Sequence, residues 1–274
     1  MDVSPTEGAA GARADTARAP AAALAAAREI LGPALARPGG VCVLTGAGMS
    51  AESGIPTFRD ALTGLWARFD PRALASDEGF RADPQRVWDW YAERREGVRR
   101  ARPHAGHLAL AGLAQRHPAR VVVVTQNVDD LHQRAGSVDA IRLHGDLLDE
   151  RWLDPCPRAA RGGNVCDPEW AAPGRPPRCA ECGNPLRPGV VWFGEMLPAG
   201  AMRAADQAAL RCAAMLVVGT SGAVWPAASL AATARRAGAA VIIVNPEPSE
   251  IDAEARLLVR ATAALALPAL LADL

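Results

Sequence analysis

The sequence predicts an α/β fold built on a parallel sheet, with a second and smaller module. Short apolar runs, each ended by Gly, Asn or His, recur along the chain at residues 41–48, 121–127, 140–145, 215–221 and 241–247. Helical patterns lie between several of these runs, for example at 104–117 and 226–238. Continuous apolar strands that alternate with helices indicate a parallel sheet covered on both faces. In such sheets ligands bind beyond the carboxyl ends of the strands, where the polar residues fall.

Taken in order, the chain opens with residues 1–20, whose composition predicts a disordered tail. Residues 151–189 contain four of the six cysteines, many Pro and Gly, and almost no hydrophobic periodicity. Such a segment cannot build an apolar core, so it must be disordered or stapled. We expect it to form a small module together with a helical stretch at 65–105. The sheet domain is then expected to comprise residues 21–64, 106–150 and 190–274.

Composition excludes several classes of partner. The 274 residues carry a formal net charge of zero, so no long-range field favours nucleic acid or an anionic membrane. No apolar run approaches the ~18–20 residues of a membrane span, and the N-terminus lacks the basic region of a signal peptide. We therefore expect a cytoplasmic protein with no nucleic acid or membrane partner. All 30 basic residues are Arg, so the chain offers no lysine of its own as a substrate.

In a reducing cytoplasm cysteines seldom form disulfides, so their spacing points first to metal binding. Cys179 and Cys182 in "CAEC", followed by Gly183, form half of a zinc knuckle. The preceding pair, Cys156 and Cys166, is widely spaced. The sequence therefore leaves two alternatives open: a structural zinc bound by all four thiolates, or a ribbon without metal.

The first strand runs into "TGAGMSAESGIPTFRD", residues 45–60. Gly46 and Gly48 form a turn in which the backbone can approach a pyrophosphate. The third glycine of the usual dinucleotide fingerprint is replaced by Ala51, and no acidic residue ends a second strand about twenty positions further on. An ordinary hydride-transferring dehydrogenase is therefore disfavoured, and the long continuation needs a different explanation.

Five further motifs follow that continuation: "TQNVDDLH" (125–132), "LHG" (143–145), "VVWFGE" (190–195), "GTS" (219–221) and "NPE" (245–247). Together these segments closely resemble the sirtuin family of NAD-dependent protein lysine deacylases. The motifs occur in family order over roughly residues 38–268. The resemblance implies a Rossmann-like NAD-binding domain with a smaller zinc-ribbon and helical module. It implies that acyl-lysine proteins are the substrates. In the family the first zinc pair is another CxxC, so the spacing in this chain departs from the pattern.

The resemblance also assigns roles to individual residues. It implies that His144 is the catalytic base and that Asn127 belongs to the catalytic site. The acyl-lysine peptide is expected to add as a strand beside Val191, Trp192, Phe193 and Gly194. The residues implied in NAD binding are Gly46, Ala47, Gly48, Ser50, Phe58, Arg59, Trp66, Gln126, Asn127, Asp129, Gly219, Thr220, Ser221, Asn245, Glu247 and Ala263.

The role of His144 also follows from the chemistry. Transfer of an acyl group to ADP-ribose requires a base that activates a ribose hydroxyl. A histidine that titrates near neutrality suits this task. Gly145 follows His144 directly and would let a substrate come close.

The segment "VWDWYAERREG", residues 87–97, contains Tyr91, the only tyrosine of the chain. Helical spacing places Tyr91 and Arg94 in one apolar stripe and predicts that Arg95 faces solvent. An arginine in an apolar stripe is costly unless it snorkels or meets an anion. A subgroup of sirtuins has a Tyr-x-x-Arg pair in the acyl pocket, where it binds the carboxylate of succinyl-, malonyl- or glutaryl-lysine. The resemblance thus predicts a preference for acidic acyl groups.

Three alternative functions stay open at this point. Protein mono-ADP-ribosyl transfer uses the same cofactor and breaks the same glycosidic bond. A non-catalytic NAD-sensing module is a second alternative, against which stand His144 and Asn127. A dehydrogenase is the third, and the broken glycine fingerprint disfavours it. The sequence does not indicate the oligomeric state.

Overall fold

The computed structural model describes residues 20–57, 70–156 and 171–274. The predicted tail, apart from its last residue, lies outside these ranges. So do four of the predicted site residues, Phe58, Arg59, Trp66 and Cys166.

A six-stranded parallel sheet forms the centre of the described structure, with the strand order β10-β9-β8-β1-β2-β3. This confirms the predicted α/β class. The strands of this sheet are β1 (Val41–Thr45), β2 (Val121–Thr125), β3 (Ile141–Arg142), β8 (Ala214–Val218), β9 (Ala240–Val244) and β10 (Leu257–Val259). Every residue of β1 and β8 is buried, as their continuous apolar sequences predict.

The helices cover both faces of this sheet or belong to the smaller module. They are α1 (Ala21–Ala36), α2 (Gly48–Ala51), α3 (Pro71–Leu74), α4 (Asp77–Ala82), α5 (Pro84–Arg100), α6 (Ala105–Arg116), α7 (Leu131–Ala135), α8 (Ala199–Arg211), α9 (Ser229–Arg236) and α10 (Ala263–Leu271). On one face, residues of α1, α6 and α10 form a buried cluster with the sheet. On the other face α8 and α9 do the same. None of the described helices is both long and apolar enough to cross a bilayer.

A third hydrophobic cluster lies away from the main sheet. It joins α3, α4 and α5 to an antiparallel ribbon of β4 (Gly145–Trp152) and β7 (Leu186–Val190). A further short ribbon pairs β5 (Ala171–Ala172) with β6 (Arg178–Cys179). The ribbon residues and the α3–α5 helices therefore pack as one unit beside the carboxyl edge of the sheet.

A short strand of the main sheet forms within the run 140–145, as predicted, but the chain enters a second sheet before the run ends. Strand β3 ends at Arg142, and β4 begins at Gly145 in a different sheet. The change of sheet requires Gly145, which has φ +80° and whose added Cβ would lie 2.2 Å from the carbonyl oxygen of Gly189. His144 thus lies at the junction between the parallel sheet and the ribbon.

Candidate functional site

The predicted site residues follow four neighbouring strand ends. In register, Thr45 at the end of β1 pairs with Thr125 of β2 and with Val218 of β8, and Val218 pairs with Val244 of β9. The loops that leave these ends therefore meet at one edge of the sheet. Because β2 and β8 lie on opposite sides of β1, this edge contains the topological switch point at which parallel sheets bind ligands.

Glycines let two of these loops touch. The backbone N–H of Gly48 donates to the carbonyl of Gly219 at 2.8 Å. A Cβ on Gly219 would lie 2.4 Å from the nitrogen of Met49, and Gly219 has φ +62°. A Cβ on Gly46 would come within 2.7 Å of the Thr220 side chain. The close approach of the two loops therefore excludes side chains at these positions.

Side-chain hydrogen bonds join the loops further. The amide of Gln126 donates from Nε2 to Oγ1 of Thr220 at 3.1 Å, and Asn245 Nδ2 donates to the Thr220 carbonyl at 3.2 Å. Thr220 thus links the ends of β2, β8 and β9. Ser221 and Glu247 lie nearby on exposed backbone, and the carbonyl of Glu247 accepts from Arg260.

Asn127 and Asp129 lie in the buried part of the site. Asn127 is 6% exposed, and its Nδ2 donates to Oγ of Ser50 at 3.1 Å. Burial raises the pKa of the Asp129 carboxyl, against the opposing effect of hydrogen bonds from the Leu131 backbone and from Ser50. These three predicted residues therefore form one hydrogen-bonded group behind the loop of Gly46–Gly48.

A chain of hydroxyl groups supports Asn127. His132 Nε2 lies 2.9 Å from Oγ1 of Thr45, which donates to Oγ1 of Thr125 at 2.8 Å. Oγ1 of Thr125 also accepts the backbone N–H of Asn127 at 3.0 Å. Thr45 and Thr125 were not among the predicted site residues. The available signal was that both are the last residue of an otherwise apolar strand.

His144 lies at the same edge and is partly buried. Its Nδ1 is 2.8 Å from the carbonyl oxygen of Gln126. A carbonyl can only accept, so Nδ1 carries the proton and Nε2 has the free lone pair of the neutral ring. Burial lowers the pKa of His144, which the bond to Gln126 opposes. The side chain is therefore neutral near pH 7, with Nε2 available as a base.

The segment after β7 contacts His144 directly. The N–H of Val191 donates to the His144 carbonyl at 2.9 Å, and that of Phe193 donates to the Ala75 carbonyl at 2.9 Å. Phe193 and Gly194 are exposed, whereas Trp192 is 2% exposed. The predicted peptide-binding segment therefore runs from the base towards α4 with its Trp192 side chain turned inwards.

Tyr91 and Arg94 of α5 face this same region. Tyr91 is 2% exposed, and its hydroxyl oxygen accepts the indole N–H of Trp192 at 3.1 Å. The guanidinium carbon of Arg94 lies 4.7 Å from the ring centroid of Trp90 and 5.7 Å from that of Tyr91. Arg94 is partly buried, and burial lowers the pKa of its guanidinium, an effect that the nearby Tyr91 and Asp129 oppose. The predicted pair is therefore adjacent to the Asn127–Asp129 group.

The prediction that Arg95 faces solvent was wrong. Arg95 is 5% exposed, its Nε donates to the Leu147 carbonyl at 3.0 Å, and its guanidinium pairs with Glu150 at 3.2 Å. The helical wheel assumed one buried stripe, but α5 packs against β4 and β7 as well as against α3 and α4. Its buried surface is therefore wider than one stripe, and Arg95 anchors the helix to β4.

Ala263 is the first residue of α10 and is 3% exposed. Next to it, the Glu52 carboxylate accepts the N–H of Ala264 at 2.7 Å and the hydroxyl of Thr262 at 2.8 Å. Glu52 thus ties the start of α10 to the turn that follows α2. Ala263 lies against α6, close to Gly106, rather than in the hydrogen-bonded centre of the site.

The cysteine ribbon lies apart from this centre. Gly183, at φ +72°, donates to the Cys179 carbonyl at 2.9 Å, which closes a tight turn around "CAEC". Cys156 and Cys179 are buried and Cys182 is exposed. In the described ranges, His, Cys, Asp and Glu side chains form no group of three or more that could hold a metal. Zinc binding by four cysteines, including Cys166, therefore stays a prediction. Cys42 and Cys212 are buried core residues.

Comparison with known proteins gives consistent matches. The model of the Sir2 family matches residues 46–226. An NAD-dependent protein deacylase of Ralstonia nicotianae is 58% identical over 232 residues, which cover 85% of this chain and 91% of that protein. A solved complex of a Sir2 homologue with NAD is 42% identical with a TM-score of 0.77, over 89% of this chain and 93% of the other. A structure of Sir2Tm bound to a propionylated peptide is 29% identical with a TM-score of 0.72, over 88% and 95%.

Proposed function

The chain belongs to the Sir2 family and is an NAD-dependent protein deacylase, and we propose that it prefers lysines with an acidic acyl group, such as succinyl, malonyl or glutaryl, over acetyl-lysine. The observation that carries this proposal is the placement of Tyr91 and Arg94 on the inner face of α5. Tyr91 is hydrogen-bonded to Trp192, in the segment predicted to bind the peptide, and the Arg94 guanidinium lies over the Tyr91 ring.

Substrates with acidic and neutral acyl groups differ at the far end of the acyl chain. A guanidinium presents a planar fork of donors that matches a carboxylate, and charge-assisted hydrogen bonds of this kind are stronger than neutral ones. The phenol of Tyr91 can donate one more. An acetyl group has no acceptor at this position, so it would leave both donors without a ligand. A pocket with this pair therefore favours an acyl chain that ends in a carboxylate.

NAD supplies the ADP-ribose that accepts the acyl group, with release of nicotinamide. On the protein side, we propose that Nε2 of His144 takes the proton from a ribose hydroxyl, because Nδ1 is held by Gln126. Asn127 and Asp129, fixed through Ser50, would orient the ribose and the nicotinamide end. The remaining cofactor contacts would come from Gly46, Ala47, Gly48, Gly219, Thr220, Ser221, Asn245, Glu247 and Ala263, and from Phe58, Arg59 and Trp66 outside the described residues.

We further propose that residues 65–105 and 151–189 form the smaller module. The packing of α5 against β7 supports this grouping, while β4, which packs with them, begins at Gly145 within the predicted sheet domain. Within it, Cys156, Cys166, Cys179 and Cys182 would hold a structural zinc, and the tight turn at Gly183 fits half of such a knuckle. Elemental analysis of the purified protein should find one zinc per chain, and its absence would favour a metal-free ribbon.

The acyl preference is tested by offering one peptide sequence with acetyl-, succinyl-, malonyl- or glutaryl-lysine, each with NAD. The proposal expects kcat/KM for the acidic acyl groups to exceed that for acetyl. The products, identified by mass, should be the free lysine peptide, nicotinamide and O-acyl-ADP-ribose. A higher kcat/KM for acetyl-lysine would contradict the preference, and an ADP-ribosylated protein would point to ADP-ribosyl transfer instead.

A further inference from the structure

We propose that Trp192 is a specificity-determining positioning residue, whose indole N–H binds the Tyr91 oxygen and so directs the phenol proton towards the acyl carboxylate. This inference rests on the proposed acidic-acyl preference. It assigns the Trp192 side chain a role separate from that of its backbone, which lies in the segment predicted to bind the peptide.

The direction of the hydrogen bond is unambiguous. An indole N–H is a donor only, so at 3.1 Å the phenol oxygen of Tyr91 must accept. A phenol has one proton, which conjugation keeps close to the ring plane, on one side of the oxygen or on the other. Since the indole N–H approaches the oxygen on one side, the proton occupies the other. Trp192 thereby makes Tyr91 a hydrogen-bond donor to a ligand.

The Trp192 side chain can impose this direction because it is fixed. It is 2% exposed, and its own backbone N–H donates to the Glu195 carboxylate at 2.8 Å. The ring of Phe80 packs against the indole with a centroid distance of 5.3 Å. The backbone bond fixes the position of Trp192, and rotation of the buried indole would break its packing against Phe80, so the direction of its N–H is set before a ligand binds.

A buried arginine holds the indole from another direction. The guanidinium carbon of Arg187 lies 3.3 Å from the Trp192 ring centroid, in a cation–π contact. Arg187 is 2% exposed, donates to the Val190 carbonyl at 2.7 Å and pairs with Glu195. Arg151 also donates to Glu195, at 2.8 Å. These paired charges hold one another in place and form a rigid support behind the indole.

The consequence is a preorganised donor. Without the indole N–H, the phenol oxygen would keep its buried place but its proton could turn to either side. Burial already raises the pKa of Tyr91, so the phenol stays protonated at neutral pH and has a proton to donate. A carboxylate ligand gains from a proton that already points at it, whereas an acetyl group has no acceptor there. The predicted effect is therefore on the ratio of the two activities.

The test compares kcat/KM for succinyl- and acetyl-lysine forms of one peptide in the Trp192→Phe variant, which lacks the N–H. We expect the succinyl-to-acetyl ratio to fall by up to about tenfold, since the variant loses the direction of one hydrogen bond to a charged group and the loss cannot exceed that bond. Trp88→Phe on α5 is the matched control, because it makes the same exchange at a tryptophan whose ring lies against Arg95 and not against Tyr91. Its ratio should stay within about twofold of the wild type.

A double-mutant cycle with Tyr91→Phe separates positioning from general damage. If Trp192 acts through the phenol, Trp192→Phe should not lower the ratio further once Tyr91 is Phe. Additive effects, an unchanged ratio in Trp192→Phe, or an equal fall for both substrates would each overturn the inference. A wild type without acidic preference overturns the proposed function and this inference with it. This inference alone is overturned if the wild type prefers succinyl-lysine and Arg94→Met lowers the succinyl-to-acetyl ratio, but Trp192→Phe leaves that ratio unchanged.

A spectroscopic readout does not depend on whether Trp192→Phe folds. Tyr91 is the only tyrosine, so the tyrosine doublet in the ultraviolet resonance Raman spectrum belongs to this residue. In the wild type the doublet should report a phenol oxygen that accepts a hydrogen bond. Succinyl peptide should shift it towards a stronger donor, and acetyl peptide should not. Equal shifts with both peptides, or a doublet without the acceptor signature, would contradict the inference.

Discussion

Exchange of Arg94 or Arg95 for methionine is the perturbation that separates substrate recognition from structural support. The two residues are neighbours of the same charge and type on α5, and each has a different role in the structure. Arg94 lies with Tyr91 beside Trp90, on the proposed acyl side. Arg95 lies over the ring of Trp88 at 4.6 Å and is bound to Leu147 and Glu150.

Arg94→Met removes the proposed fork onto the acyl carboxylate. Two charge-assisted hydrogen bonds together contribute about 3 kcal/mol at the lower end of their range. At 1.36 kcal/mol for each factor of ten, kcat/KM for succinyl-lysine should fall roughly 100-fold. The acetyl substrate makes no such contact, so its kcat/KM should change only a few-fold. The assay is parallel steady-state kinetics on succinyl- and acetyl-lysine forms of one peptide.

Arg95→Met should lower stability instead. It removes a buried hydrogen bond from a charged donor to the Leu147 carbonyl, which costs about 2 kcal/mol, while the pair with the partly exposed Glu150 adds little. For a chain of this size that loss lowers Tm by about 4–8 °C. The succinyl-to-acetyl ratio should be unchanged. If Arg95→Met lost the ratio and Arg94→Met kept it, the assignment of the acyl pocket would be refuted.

Three further predictions concern the base, the glycine contact and the buried histidines. His144→Ala should abolish deacylation while NAD binding, measured by calorimetry, remains, and retained turnover in the variant would contradict the role of His144 as the base. Since burial lowers the pKa of His144, the acid limb of the pH profile of kcat/KM in the wild type should have its midpoint below pH 6.5. Gly219→Ala should lower the free energy of unfolding by about 3 kcal/mol or more, because strain at positive φ adds to a clash with the Met49 backbone. Gly54→Ala, also at positive φ but with open space around it, should lower it by about 1 kcal/mol. Equal losses in urea unfolding would show that the loop contact is not tight. Burial holds the pKa of His107 at about 2 and that of His132 at about 4. Below pH 6.5 the unfolded chain therefore binds protons that the folded chain does not, so the free energy of unfolding should fall as pH falls from 6.5 towards 4. Each histidine contributes up to about 1.4 kcal/mol per pH unit, and His107→Gln should lower that slope by one histidine's share in urea titrations at pH 6.5 to 5; an unchanged slope would contradict the burial argument.

Local sequence was sufficient for the features that depend on neighbours in the chain. The apolar runs at β1 and β8 predicted buried parallel strands, and Gly46 and Gly48 predicted a turn with close backbone approach. Residue type and spacing carry these signals because a strand buried on both faces needs apolar residues throughout, and a tight contact excludes a side chain.

Contacts between distant parts of the chain were outside the reach of such patterns. Tyr91 and Trp192 are 101 positions apart, and nothing in either segment signals that their side chains are hydrogen-bonded. Arg95 was misplaced because a helical wheel shows the order of side chains around a helix but not how many neighbours cover it. The buried Arg187 had one available signal, which is its position within an otherwise apolar strand.

The most direct test of the account is a competition in one tube. Equal amounts of one peptide in its succinyl-lysine and acetyl-lysine forms are incubated with limiting NAD, and the O-succinyl- and O-acetyl-ADP-ribose products are compared by mass spectrometry. The account predicts that the succinyl product exceeds the acetyl product and that Arg94→Met removes the excess. A predominance of the acetyl product in the wild type, or an excess that survives Arg94→Met, would contradict it.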